Sequence, residues 1–110
     1  MTPRKRVHVT DHALSKGRHG LERTHLWFGE IRDLVARVEY VTLGVSGSTT
    51  FLLIWDHLLE KAVVLLVHDY ADRVVVISIW ETHYIGIPNG EPTEEQIHQA
   101  YHLATNPEAP

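Results

Sequence analysis

Three apolar runs, FLLIW, AVVLLV and RVVVISIW, lie between Thr50 and Trp80 and are separated by only two short polar breaks. The first break runs from Asp56-His57 to Glu60-Lys61, the second from His68-Asp69 to Asp72-Arg73. Val, Ile, Leu, Phe and Trp in short runs bounded by charged turns are the pattern of buried strands. A helix competes over residues 55–67, where Leu58, Leu59, Ala62, Val63 and Leu66 fall at helical spacing. Strands are the better reading, because the β-branched residues of Val74–Ile77 and Val63–Val64 lose rotamer freedom in a helix. Breaks this short join antiparallel neighbours, since a parallel return takes a crossover of about a dozen residues or more. Near-continuous apolarity means that both faces of the sheet are covered, and the rest of the chain must supply that cover.

The flanking sequence offers the elements to do so. Residues 4–10 alternate, with Val7 and Val9 on one side and Arg6, His8 and Thr10 on the other, which suits a short edge strand. Thr10 or Asp11 can cap a first helix, kept short by Gly17 and Gly20. Trp27, Ile31, Leu34, Val35 and Val38 form the apolar stripe of a second helix, with Thr24 as its cap. Val41, Leu43 and Val45 alternate with polar residues as in a half-buried strand, and Ser46-Gly47-Ser48 is a turn into the core strands. Thr93-Glu94-Glu95-Gln96 is a capping box that opens a last helix, ended by Asn106-Pro107. The expected fold is therefore α+β: an antiparallel sheet of about four to five strands, two N-terminal helices and a short C-terminal helix. Its 110 residues make one domain, with a disordered tail over about 106–110.

Composition bounds the function more than it specifies it. No apolar run approaches the roughly 18–20 residues that span a bilayer, and no secretory signal pattern opens the chain. The lack of cysteine removes disulfide and thiolate chemistry and fits a reducing cytoplasmic setting. Charge is divided: through Arg23 six basic residues stand against Asp11 and Glu22, whereas the remainder sets four basic residues against twelve acids. A basic end on an acidic body can touch polyanions locally, although a solvated tail reads the same way.

Nine histidines are the compositional oddity. His98 and His102 are four apart on the last helix and could hold two positions on a metal, but they lack a third ligand and the Glu of the zinc-protease motif. No P-loop, dinucleotide fingerprint or G-x-S-x-G elbow is present, so no metal and no cofactor is expected. The richer constellation is His8, His12, Lys16, Arg18, His19 and Arg23. Cleaving RNA without metal takes a base for the 2′-hydroxyl, an acid for the leaving 5′-oxygen and cations for the charge at phosphorus. Histidine supplies the first two and Lys or Arg the third, and His83 follows a core strand, where a scaffold presents polar groups.

The segment V-T-D-H-A-L-S-K at residues 9–16, with His12-Ala13 after a strand, Lys16 four residues on, a helix through Val38 and the hairpin 61–80, resembles DUF4258-type domains. In outline it is also similar to the RelE/barnase/colicin-like group of ribonuclease toxins. The resemblance covers residues 6–80 and implies His12 as general base or substrate ligand, Lys16, Arg18 and Arg23 as phosphate contacts, and His83 as the acid. Arg4, Lys5 and Arg6 extend the expected nucleic-acid-binding segment. The expectation is a metal-independent endoribonuclease of the toxin type acting on RNA. Its alternatives are a non-catalytic module of phage or mobile-element origin that binds an antitoxin or host protein through the acidic sheet face or an edge strand, and a metal-binding protein. None of these implies a membrane partner.

Overall fold

The computed structural model describes residues 6–13 and 24–105. Five strands form one sheet: β1 (Arg6–Val9), β2 (Val41–Ser46), β3 (Thr49–Asp56), β4 (Lys61–Asp69) and β5 (Arg73–Trp80). Two helices, α1 (Phe28–Ala36) and α2 (Glu94–Thr105), complete the described elements. Across the sheet the order is β1-β5-β4-β3-β2, so the three apolar runs occupy its centre.

Strands β2 to β5 form an antiparallel meander, as their short connections require. Two-residue closure between Ser46 and Thr49 places Gly47 at φ +61°, a conformation that glycine adopts without a Cβ penalty. The first strand departs from expectation: β1 pairs parallel to β5, with Arg6 opposite Arg73 and Val9 opposite Val76, and the sheet is mixed, not antiparallel. Short breaks dictate antiparallel pairing only between consecutive strands. Here the whole meander intervenes, so the direction is free to follow packing, and Val7 and Val9 join the α1-side core beside Val74 and Val76.

The expected pair of N-terminal helices is also corrected. Asp11–Ala13 is a turn, and the described residues hold one helix ahead of β2, which is α1. The Thr10 amide and hydroxyl both donate to the Val76 carbonyl, at 3.1 and 3.0 Å, while its own oxygens accept the Ala13 amide. Residues 14–23, over which the first helix was expected to continue, lie outside the described residues, as do the expected tail at 106–110 and strand residues 4 and 5.

Each face of the sheet has its own core. Ile31 and Val35 of α1 pack with Leu52, Ile54, Val63, Leu65, Val67, Val76 and Ile79. Ala100 of α2 packs with Leu43, Phe51, Leu53, Ala62, Val64 and Leu66 on the other side. A bulge opposite Leu66/Val67 lets Val76 and Ile79, three residues apart, face the same way. The capping box at the start of α2 closes as its sequence requires: the Thr93 amide donates to Gln96 Oε1 at 2.9 Å and the Gln96 amide to Thr93 Oγ1 at 3.1 Å. Trp55 meets Tyr101 edge-on at 5.0 Å and Trp80 stacks on Tyr84 at 4.3 Å, which seats α2 and the preceding loop on the sheet.

Helix α1 is shorter than its apolar stripe. Thr24 does not cap it; Trp27 stands at the N-cap, where its amide donates to Glu30 Oε1 at 3.3 Å. Trp27 and Val38 therefore fall outside the helix and are 73% and 60% exposed, leaving Ile31, Val35 and half-buried Leu34 to make the packing face. Nine residues make a helix of about 13 Å, whereas the eight- and nine-residue strands beneath extend for roughly 26–30 Å. One end of this face is left uncovered by α1.

Candidate functional site

The two ends of the sheet differ in character. At the end where β3 turns into β4, Asp56 is the most buried polar residue, with none of its surface exposed. Its Oδ2 accepts the Thr24 hydroxyl at 2.7 Å and the His25 amide at 3.0 Å, and its Oδ1 accepts the amides of Leu58 and Leu59 at 2.8 and 3.0 Å. Burial by itself would raise the carboxyl pKa. The Thr24 hydroxyl and the backbone amides of His25, Leu59 and Leu58 outweigh that and hold it below the ordinary aspartate range. Every acceptor direction is thus committed to holding the hairpin loop and the segment leading into α1. Across the same junction His57 Nε2 and Glu30 Oε2 are 2.5 Å apart. Asp56 is structural, a role its place in a polar break did not reveal.

His83 also belongs to this end, and His12 does not share it: β1 ends at Val9 opposite Val76, level with Val67 and Thr50, four residues short of Trp80 at the end of β5. His12 is exposed in the turn after β1. His83 is 70% exposed, with Nε2 3.3 Å from Glu81 Oε2, and borders a cleft of about 370 Å³ with Trp55, Glu60, Lys61 and Ile97 on the α2 side. No hydrogen bond joins His12 to His83 among the described residues. Arg6 is exposed on β1, and Arg4, Lys5, Lys16, Arg18 and Arg23 lie outside the described residues. His98 and His102 are exposed on α2, and among the described residues no three His, Asp or Glu side chains gather as a metal would require.

The opposite end holds a groove of about 510 Å³ on the α1 side, crossing all five strands. Buried Leu52 and Val67 form its floor, Val7 and Val74 one side, and Val35, Ala36 and Val38 the wall made by the end of α1. Tyr40, Thr42, Thr50 and Asp69 line it as well. A bulge in β2 between Thr42 and Gly44 lets Thr42 and Val45 both reach this side. Gly44 is needed there: its φ is +152°, and a Cβ would stand 3.0 Å from Pro88 Cβ.

The end of α1 shapes the wall through an unusual residue. The Val38 amide donates to the Val35 carbonyl at 3.1 Å and the Glu39 amide to the Leu34 carbonyl at 2.8 Å, the paired bonds of a Schellman ending. That ending puts Val38 at φ +57°, where glycine is favoured and a β-branched residue is strained. Helical spacing alone places Val38 in the apolar stripe and does not show this ending. Its one available signal was the absence of glycine where the helix had to stop.

No family model, curated protein or solved structure matches this chain. The functional reading therefore rests on the geometry of these two ends. Among the described elements no helix is long and apolar enough to cross a membrane.

Proposed function

We propose that this chain is a non-catalytic binding module whose guest enters the α1-side groove. The observation that carries this reading is a concavity of about 510 Å³ walled by a strained, exposed valine. Its volume falls in the range of small-molecule sites, roughly 300–1,000 Å³. Backbone strain of the kind at Val38 costs on the order of 1–3 kcal/mol and clusters at ligand clamps. The lining is mainly aliphatic and, among the described residues, brings together no acid–base pair, which favours holding a guest over transforming one. The test is titration with the solvatochromic dye Nile red. Saturable single-site binding that is lost when Thr42→Trp fills the groove supports the reading. Lack of saturable binding, or binding indifferent to that variant, overturns it.

A metal-independent ribonuclease is the second reading, favoured by the exposure of both His12 and His83, which leaves their imidazoles open to a substrate. Under it His12 takes the 2′-hydroxyl proton, His83 protonates the leaving 5′-oxygen, and Lys16 and Arg18 stabilise the charge at phosphorus. His12→Ala then lowers the rate by about 10²–10⁴-fold, and the rate follows a bell-shaped pH profile. Labelled RNA incubated in chelator with each protein decides it: no cleavage, or equal cleavage by the variant, removes this reading.

A further inference from the structure

We infer that the groove takes a single unbranched alkyl chain, the tail of a single-chain lipid, laid across the strands; this rests on the binding-module reading. One lining residue per strand marks the course: Val7 on β1, Val74 on β5, Val67 on β4, Thr50 on β3 and Val45 on β2. Strand pairing sets them in two rows, with Val7 opposite Val74, and with Val67, Thr50 and Val45 abreast. The rows join through β4, where Val67 stands two residues before Asp69, the partner of Val74. The groove thus runs from one edge of the sheet to the other. Neighbouring strands lie about 4.8 Å apart, so four spacings give it a length of roughly 19 Å.

That length decides the shape of the guest. A volume of about 510 Å³ divided by roughly 19 Å leaves a mean cross-section of about 27 Å². Carbon atoms in contact stand about 4 Å apart, so one chain of methylene groups fills roughly 16–20 Å² and two side by side about twice that. One extended chain fits the section; a chain folded back on itself, or a large ring, does not. Carbon–carbon bonds of about 1.5 Å at about 111° advance roughly 1.25 Å each, so about fifteen of them span the sheet. The valines of β1, β5, β4 and β2 offer methyl groups along this course, and the hydrophobic gain grows with each methylene laid on them.

The test is displacement of Nile red from the purified protein by neutral alcohols that differ only in carbon skeleton. From 1-hexanol to 1-decanol, each added methylene is expected to lower the displacement midpoint about twofold to fourfold. Cyclododecanol has two more carbons than 1-decanol, yet at least fivefold more of it is expected to be needed. Val45→Trp, at a position 61% exposed on the edge strand, shortens the course at the β2 end. It is expected to flatten the series, bringing 1-decanol within twofold of 1-octanol with the melting temperature unchanged. Cyclododecanol acting as well as 1-decanol, or a series indifferent to chain length, overturns the single-chain guest while leaving a binding groove in place. A series as steep in Val45→Trp as in the parent overturns the course across the strands. Absence of saturable Nile red binding overturns the groove reading itself. The comparison of chain with ring uses only the unmodified protein, so it decides the matter even where the variant fails to fold.

Discussion

At one end of the sheet a single buried carboxylate, Asp56, collects four hydrogen bonds and ties the β3–β4 hairpin to the chain entering α1. At the other, α1 stops short, a valine takes a left-handed conformation, and an apolar groove stays open. Both ends belong to the same sheet. They differ in where the polar groups of the connections go. Around Asp56 the backbone amides of the loop turn inward to a common acceptor, and the layer is sealed. Around Val38 the helix satisfies its last carbonyls within its own ending, so nothing is drawn down over Leu52 and Val67. A satisfied network rigidifies one end, and a self-contained helix terminus leaves the other free to receive a guest.

The sharpest way to break this comparison is to remove the acceptor. Asp56→Ala leaves a hydroxyl and three amides without their partner in a buried setting, and the expected loss is about 3–5 kcal/mol in urea unfolding. The native carboxyl is held below its ordinary value, so its contribution is fully present above that ordinary value and fades as pH falls from there through the lower folded value. Asp56→Asn should therefore be less stable near neutrality yet lose less stability on acidification than the parent. A parallel decline of the two curves in acid would show that Asp56 does not carry that pH dependence.

The second change tests whether the layer between the two ends holds them together. Ile31 is fully buried under α1. Ile31→Ala is expected to cost about 2–4 kcal/mol through the cavity it leaves, measured by the same unfolding curves. The third change sharpens the picture at the closed end by deleting the one side-chain donor among the four bonds to Asp56. Thr24→Val keeps the shape of the side chain and removes its hydroxyl, which donates to Asp56 Oδ2 and also accepts the Leu26 amide at 3.1 Å, for an expected loss of about 1–3 kcal/mol. A loss as large as that of Asp56→Ala would mean that the Thr24 hydroxyl, through its bonds with Asp56 and Leu26, holds the junction by itself.

Much of this architecture was legible and some of it could not have been. The central strands followed from β-branched runs such as Val74–Ile77, and the α2 start from Thr93 and Gln96, because both are encoded within a few residues. The parallel partner of β1 lies 67 positions away, and local pattern says nothing about strand direction across such a separation. The α1 stripe was visible, but its ends were not. Helical spacing carried it through Trp27 and Val38, and only tertiary packing and the Schellman ending stop the helix at Ala36. Asp56 read as one more polar residue in a break, since its main partner, Thr24, lies 32 positions upstream. The groove belongs to no motif. It exists because α1 is shorter than the strands it covers, a relation between two elements that neither sequence states alone.

The smallest expected effect bears most directly on the open end. Val38→Gly relieves a conformation that costs an L-residue roughly 1–2 kcal/mol, offset by about 0.5–1 kcal/mol for the greater freedom that glycine loses on folding. The net expectation is a gain of about 0.5–1 kcal/mol, seen as a higher urea midpoint with an unchanged slope. The same substitution removes the isopropyl group from the rim of the groove, so Nile red should bind it more weakly. The two readouts move in opposite directions only if valine stands there for the guest and not for the fold. Should the variant lose stability, the valine would be there for packing and the strain would carry no functional meaning. Should it gain stability and bind the dye as tightly as the parent, the rim would lie elsewhere. A more stable protein that holds its guest less well is the outcome that ties the strain at Val38 to binding, as expected where a site is kept at the expense of stability.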